Sequence, residues 1–168
     1  VLGYVDVICS TLGAGGYDAT TAVGCTIIGT TGVHIRAAHA SEITLNTDLK
    51  SGYVMLMPID GHAAQLQTNM AGTLNLDWVL SLASDAADSI GVPVEKDHLL
   101  TLIDGWIADT QPAALLYHPY ISDAGERGPF IDHTARSSFI GLNSNHGFAD
   151  LVHGTIEGLG FAARDCYT

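Results

Sequence analysis

Two β-branched runs, Cys25-Thr26-Ile27-Ile28 and Val33-His34-Ile35-Arg36, are separated only by Gly29-Thr30-Thr31-Gly32. So short a connection forces the flanking strands to pair antiparallel, and glycine at both ends supplies the backbone freedom a tight turn needs. Any fold of this chain must be built around that hairpin. Of the 168 residues, 47% are hydrophobic and 14% charged, which excludes a disordered or coiled-coil chain and provides the core of one domain. The chain begins with Val1 rather than Met, so a piece of a longer protein is expected.

The remaining pattern mixes strands with helices, an α/β class. Residues 5–12 are apolar and run into Gly13-Ala14-Gly15-Gly16, which predicts a short helix stopped by glycines. A strand is expected over 53–59, with Pro58 near its end and an Asp60-Gly61 turn before residues 63–67. Apolar spacing predicts a helix over 74–82, capped by Asn69 or Thr73, and a second over 97–108 after the connection 92–96. A short strand over 114–117 enters a loop from 119 to about 136. The last helix is expected over 148–166, where Gly154, Gly158 and Gly160 oppose helix propensity and point to close packing against a neighbour. No internal repeat or interdomain linker interrupts this order.

Several functions are excluded by charge and by missing motifs. Six Lys and Arg stand against 18 Asp and Glu, a net charge of -12, so nucleic acid and anionic membrane surfaces are unsuitable partners. The longest apolar runs fall far short of a membrane span, and no signal peptide opens the chain. Three scattered cysteines, Cys9, Cys25 and Cys166, suit no disulfide framework, and a cytoplasmic location is expected. Gly13-x-Gly15 begins like a dinucleotide fingerprint, but Asp18 fills the third glycine position and would face a pyrophosphate. The eight histidines form no HxxxH or HExxH pair, so no metal site is assigned, and no GxSxG marks a nucleophile.

What carries chemistry is a Gly-Thr-Thr turn, able to offer backbone N–H groups and hydroxyls to a phosphate, with Asp6 before the first apolar helix and the loop Gly125-Glu126-Arg127-Gly128-Pro129. In this order the residues resemble the start of the C-terminal domain of FGGY-family carbohydrate kinases, over nearly the whole chain. Gly3-Tyr4-Val5-Asp6 leading to Gly13 is similar to the family's Gly-x-x-Asp segment, and Gly29-Thr30-Thr31 to its phosphate turn. Met70-Ala71-Gly72-Thr73-Leu74-Asn75-Leu76-Asp77-Trp78 resembles the small-residue segment flanking the nucleotide. Pro119-Tyr120, the Gly125–Phe130 loop, Asp132, Ala135-Arg136, Phe139-Ile140-Gly141-Leu142 and Asp150 through Glu157 resemble the family's second signature, the most specific of the four matches. Gly154, where Ala or Ser is usual, and Asp77, where Gln is common, depart from the pattern. An alignment using Asp18 in place of Asp6 leaves too little chain before Gly29.

The resemblance implies a ribonuclease H-like domain of the actin-like ATPase and sugar-kinase superfamily, with a mixed sheet and flanking helices, incomplete over residues 1–168. It implies phosphorylation of a sugar or polyol hydroxyl by ATP with Mg2+. Asp6 is then the catalytic base, while Gly29, Thr30, Thr31, Gly72 and Thr73 bind the nucleotide and its phosphates. Bulk at Gly29 is expected to block ATP, with strain if its φ is positive. Glu126 and Arg127 are expected to form a loop ion pair, and Glu157 and Arg164 to be solvated or paired on their helix. An N-terminal lobe holding another phosphate loop and most sugar contacts is the implied partner; without it the chain should be catalytically silent, and self-association stays open. Erythritol and xylulose kinases are the most similar members. A pseudo-kinase or interaction module with this fold is the alternative; a nucleotide-dependent actin-like chaperone lacks the Glu-Arg-Gly-Pro loop.

Overall fold

The computed structural model describes residues 3–18, 22–45 and 47–167. Helix α1 (Asp6–Gly13) precedes the expected hairpin of β1 (Val23–Ile28) and β2 (Gly32–His39), in which Ile28 faces Gly32 and Val23 faces Ala37. After a short 3-10 turn at Ala40–Glu42 come β3 (Tyr53–Leu56) and β4 (His62–Asn69), giving an antiparallel sheet ordered β1-β2-β4-β3. β3 ends before Pro58, earlier than the sequence suggests, and β4 spans the whole run around 63–67. The resemblance implies a mixed sheet; every named strand pairing among the described residues is antiparallel.

Strand alternation separates two faces of the sheet. Cys25, Ile35, Ala37, Ala64 and Leu66 point to one side, where Ile8 of α1 and Met57 complete an apolar core. Complete burial of Ile8 is worth roughly 1.5–3 kcal/mol and holds α1 on the sheet. The opposite face is polar: Thr26 bonds His34 at 3.3 Å, and His34 bonds Asn69 at 2.6 Å. Burial there holds the His34 imidazole below its ordinary value, against the pull of Asn69.

Helix α2 (Leu74–Ser89) continues past residue 82 through an Ala- and Ser-rich stretch, and Thr73 occupies its N-cap position without a side-chain capping bond. The helix expected over 97–108 is broken into α3 (Lys96–Leu100) and α4 (Ile103–Asp109). Thr101 causes the break: its N–H and hydroxyl both donate to the His98 carbonyl, at 3.1 and 2.7 Å, closing a tight turn in place of the next α-helical bond. A second sheet pairs β5 (Leu116–His118) with β6 (Ser138–Ile140), and α5 (Phe148–Asp165) follows. Val79 and Leu80 of α2, Leu99 of α3 and Val152 of α5 form a second apolar core. A Cβ at Gly158 would lie 2.4 Å from the Tyr117 carbonyl oxygen and one at Gly154 2.6 Å from Leu115 Cδ1, so these two glycines serve close packing of α5, whereas Gly160 faces open space and does not. No helix among the described residues is long and apolar enough to cross a membrane.

Candidate functional site

The Gly29–Thr31 turn does not project freely from the hairpin. Its carbonyls at Gly29 and Thr30 accept the N–H groups of Thr73 at 2.7 Å and Gly72 at 2.8 Å, and Gly29 N–H closes the turn on the Thr31 carbonyl at 3.0 Å. The backbone thus locks together five residues that are 41 or more positions apart across the two segments, at the point where α2 begins. Gly72 is required by this contact: a Cβ there would stand 2.4 Å from the Gly29 oxygen and 3.0 Å from the Thr31 carbonyl carbon. Gly29 is different. Its φ lies outside the left-handed region, and the nearest atom to an added Cβ is the Thr31 oxygen at 3.9 Å, so the strain expected of a side chain at Gly29 does not arise.

The turn's carbonyls and the Gly29 N–H are engaged in this way, whereas its threonine side chains are not. Among the described residues no protein group is hydrogen-bonded to the hydroxyls of Thr30, Thr31 or Thr73, and all three stand beside the N-terminus of a 16-residue helix. Hydroxyls at the positive end of a helix dipole suit an anion such as a phosphate.

Buried polar groups that the sequence reading missed hold this cradle from behind. Asn75, fully buried, donates to the carbonyls of Ala71 at 3.3 Å and Gly72 at 3.1 Å, and accepts from the Tyr117 hydroxyl at 2.9 Å. Asn69 donates to the Gly128 carbonyl at 2.6 Å. Glu126, 2% exposed, accepts N–H groups from Met70 at 2.8 Å and from Arg127 at 2.8 Å on the same oxygen, with Gly128 at 3.4 Å. The expected Glu126–Arg127 ion pair is therefore replaced by backbone donors, because the carboxylate turns inward while Arg127 stays exposed. In sequence Glu126 stood out as part of the Gly125–Phe130 loop but with no mark of its burial, and Asn75 only as a polar residue between Leu74 and Leu76.

Glu157 is engaged rather than solvated: both its oxygens accept the N–H of Ala113, at 3.1 and 2.9 Å, and it faces His153 one turn earlier on its helix at 3.9 Å, the pairing the sequence allows. Asp77 pairs with Lys96 at 3.0 Å on a half-exposed surface, an interaction of small energetic weight.

Asp6 opens α1, exposed, with one oxygen accepting the N–H of Val7 at 2.8 Å; the N-cap position belongs to Val5. Just before it, the Tyr4 hydroxyl donates to the Leu56 carbonyl at 2.9 Å. Leu56 pairs with Ala63 of β4, whereas the turn follows Ile28 at the level of Gly32 and Asn69. Ala63 and Asn69 are roughly 20 Å apart at the rise of an antiparallel strand. The structure gathers Gly29, Thr30, Thr31, Gly72 and Thr73, and among the described residues no bond joins Asp6 to them. Among the described residues no three His, Cys, Asp or Glu side chains converge as metal ligands.

Comparison with known proteins places the chain in a family. The family model described as FGGY family of carbohydrate kinases, C-terminal domain, matches residues 24–168. An erythritol kinase of Brucella abortus is 49% identical over 166 residues, covering 99% of this chain and 32% of that protein. A xylulose kinase of Klebsiella pneumoniae is 27% identical over 163 residues, covering 92% of this chain and 31% of that protein. Among solved structures, gluconate kinase from Lactobacillus acidophilus aligns over 99% of this chain and 31% of its own, with TM-score 0.73 and 23% identity. Xylulose kinase from Rhodospirillum rubrum aligns over 96% and 29%, with TM-score 0.70 and 24% identity. These structural likenesses show the fold, that of the FGGY sugar kinases. The chain spans about a third of the length of the curated relatives it matches.

Proposed function

Because the chain belongs to the FGGY family of carbohydrate kinases, we propose that it forms part of an enzyme transferring the terminal phosphoryl group of ATP to a hydroxyl of a polyol or sugar. Residues 1–168 supply the first part of its C-terminal domain, and an N-terminal lobe completes the site. The erythritol kinase relative favours a small polyol as acceptor. The observation that carries the reading is the backbone-locked cradle, with three unengaged hydroxyls beside a helix N-terminus.

In this mechanism the Gly29–Thr31 turn and Thr73 hold the phosphates of ATP, and Gly72 lets the two segments close on each other. The acceptor oxygen forms a bond to the terminal phosphorus as the bond to the ADP oxygen breaks, and the acceptor proton passes to the Asp6 carboxylate. Positioning and charge stabilisation dominate such a transfer. Mg2+ bound with the nucleotide would supply charge neutralisation at the phosphates that the turn and Thr73 would hold. A base must come within about 3 Å of the hydroxyl it deprotonates. Because α1 and the cradle share one sheet, closure of the lobes would have to carry the acceptor to within that reach of Asp6. The chain alone is accordingly expected to be silent, and a cytoplasmic location belongs to the same proposal.

The test is a panel of polyols and sugars with coupled detection of ADP, made on the full-length protein. ADP formation only with a small polyol or sugar present is the expected result. ATP binding with no turnover on any acceptor would instead identify a pseudo-kinase.

A further inference from the structure

We propose that Glu126 is a positioning residue for the phosphate cradle: by accepting the N–H of Met70, its buried carboxylate sets where Gly72 and Thr73 meet the Gly29–Thr31 turn. The inference deepens the kinase reading and rests on it.

Glu126 lies 56 residues from Met70 in sequence yet bonds it at 2.8 Å. Its own loop is fixed independently. Glu126 and Asp132 exchange backbone bonds of 2.8 and 3.0 Å, and the Gly128 carbonyl accepts from Asn69 at 2.6 Å. Gly128 packs so closely that a Cβ there would lie 2.7 Å from the Thr68 oxygen. The carboxylate therefore stands on a rigid base and reaches the first residue after β4, where the chain leaves the sheet for the cradle. Two residues later Gly72 donates to the Thr30 carbonyl, and Thr73 to that of Gly29. A shift at Met70 is passed along two peptide units to both bonds. On the other side, Asn75 fixes the carbonyls of Ala71 and Gly72. The Met70–Thr73 segment is thus held at each end by a buried polar side chain, with the turn as its third support.

A buried carboxylate costs desolvation energy that an apolar residue would avoid, so a filler role explains it poorly. Three N–H donors converging on one oxygen, one of them from the cradle strand, give the charge a task of geometry.

The test uses the full-length enzyme with Glu126→Ala, Glu126→Gln and Glu126→Asp, comparing KM for ATP, KM for the acceptor, kcat and hydrogen exchange of the Met70 and Gly72 amides. Glu126→Ala should raise KM for ATP by roughly tenfold and speed exchange at both amides, leaving the acceptor KM unmoved. Glu126→Gln keeps an oxygen for Met70 and should return KM for ATP to within about threefold of wild type. A folded Glu126→Ala enzyme with wild-type KM for ATP would overturn the proposal, as would equal losses in the Ala and Gln variants. Should Glu126→Ala fail to fold, Glu126→Asp withdraws the oxygen by one methylene, and an unchanged KM for ATP in that variant overturns it equally. Failure of the kinase reading has a separate signature: wild-type protein that binds no ATP by calorimetry, although Glu126→Ala still speeds exchange at Met70 and Gly72.

Discussion

The cradle and the helix that carries Asp6 are held to the sheet by opposite means. At the hairpin end, backbone bonds join the turn to the start of α2, and Asn69, Asn75 and Glu126 support it from a buried position. Elsewhere on the sheet, α1 rests on Ile8 with Val7 and Leu12 packed beside it and on an exposed bond from Tyr4 to Leu56, leaving the Asp6 carboxylate in solvent. On the proposed reading, the difference matches what each would recognise. Phosphate oxygens are read by several donors at once, so their frame must be fixed before binding. A base needs one well-placed oxygen at the moment of transfer, and an apolar anchor that leaves the carboxylate in solvent keeps that oxygen open to the acceptor.

The contrast breaks most sharply at Asp6 and Gly72. Asp6→Asn in the full-length enzyme should lower kcat by about 10²- to 10⁴-fold, as loss of a general base does, with ATP affinity and melting temperature nearly unchanged. A variant with wild-type turnover removes Asp6 from the mechanism. Gly72→Ala should act on the rigid end, costing about 2–4 kcal/mol of stability, because the new Cβ meets backbone that cannot yield without parting the turn from α2. Its partner experiment is Gly29→Ala, where space is open and the loss should stay within about 1 kcal/mol. Denaturant unfolding of the two variants side by side measures the difference; equal losses would mean the turn is not locked on Gly72.

A smaller effect sharpens the electrostatics of the rigid end. Burial holds the Glu126 carboxyl above the ordinary carboxylate range, against the N–H groups of Arg127, Met70 and Gly128 and the Arg127 charge. The folded protein therefore binds this proton more tightly than the unfolded chain. The resulting stabilisation is full below the ordinary value of 4.5 and is lost as pH rises through the raised one. Wild type should lose stability relative to Glu126→Gln over that interval, measured by denaturant titration from below 4.5 to neutrality. A flat difference would show that Glu126 titrates as it does in the unfolded chain.

What sequence made legible was local. The hairpin, α1, α2 and α5 follow from β-branched runs, helical apolar spacing and the Gly-rich stop after Leu12. The Gly29–Thr31 turn could be singled out from its own residue types, and Gly72-Thr73 from the resemblance of its segment to the family. Their docking could not, since it joins segments by carbonyls and N–H groups that every residue carries. Glu126 and Asn75 were illegible for a related reason: their partners Met70 and Tyr117 lie 56 and 42 residues away, and an acid in a polar loop has no periodicity to mark it as buried. The break at Thr101 was hidden because apolar spacing continues through it, while one side-chain bond to His98 decides the geometry.

The smallest effect tests the loose end. Tyr4→Phe removes the hydroxyl that bonds the Leu56 carbonyl and little else, since that carbonyl lies at an exposed edge where water can replace the donor. An exposed bond of this kind contributes at most about 1 kcal/mol, so the melting curve should move only slightly, and Ile8 should keep α1 on the sheet. Turnover separates two roles for the tie. If Tyr4 moors α1 in the open arrangement, the substitution frees Asp6 to approach the cradle, and kcat should hold or rise by a factor of about two to five, equivalent to about 1 kcal/mol or less. If instead the tie orients Asp6 for the reaction, kcat falls while KM for ATP stays constant, because the cradle at the far end of the sheet is untouched. The second result would leave α1 as rigid as the cradle and remove the contrast between them.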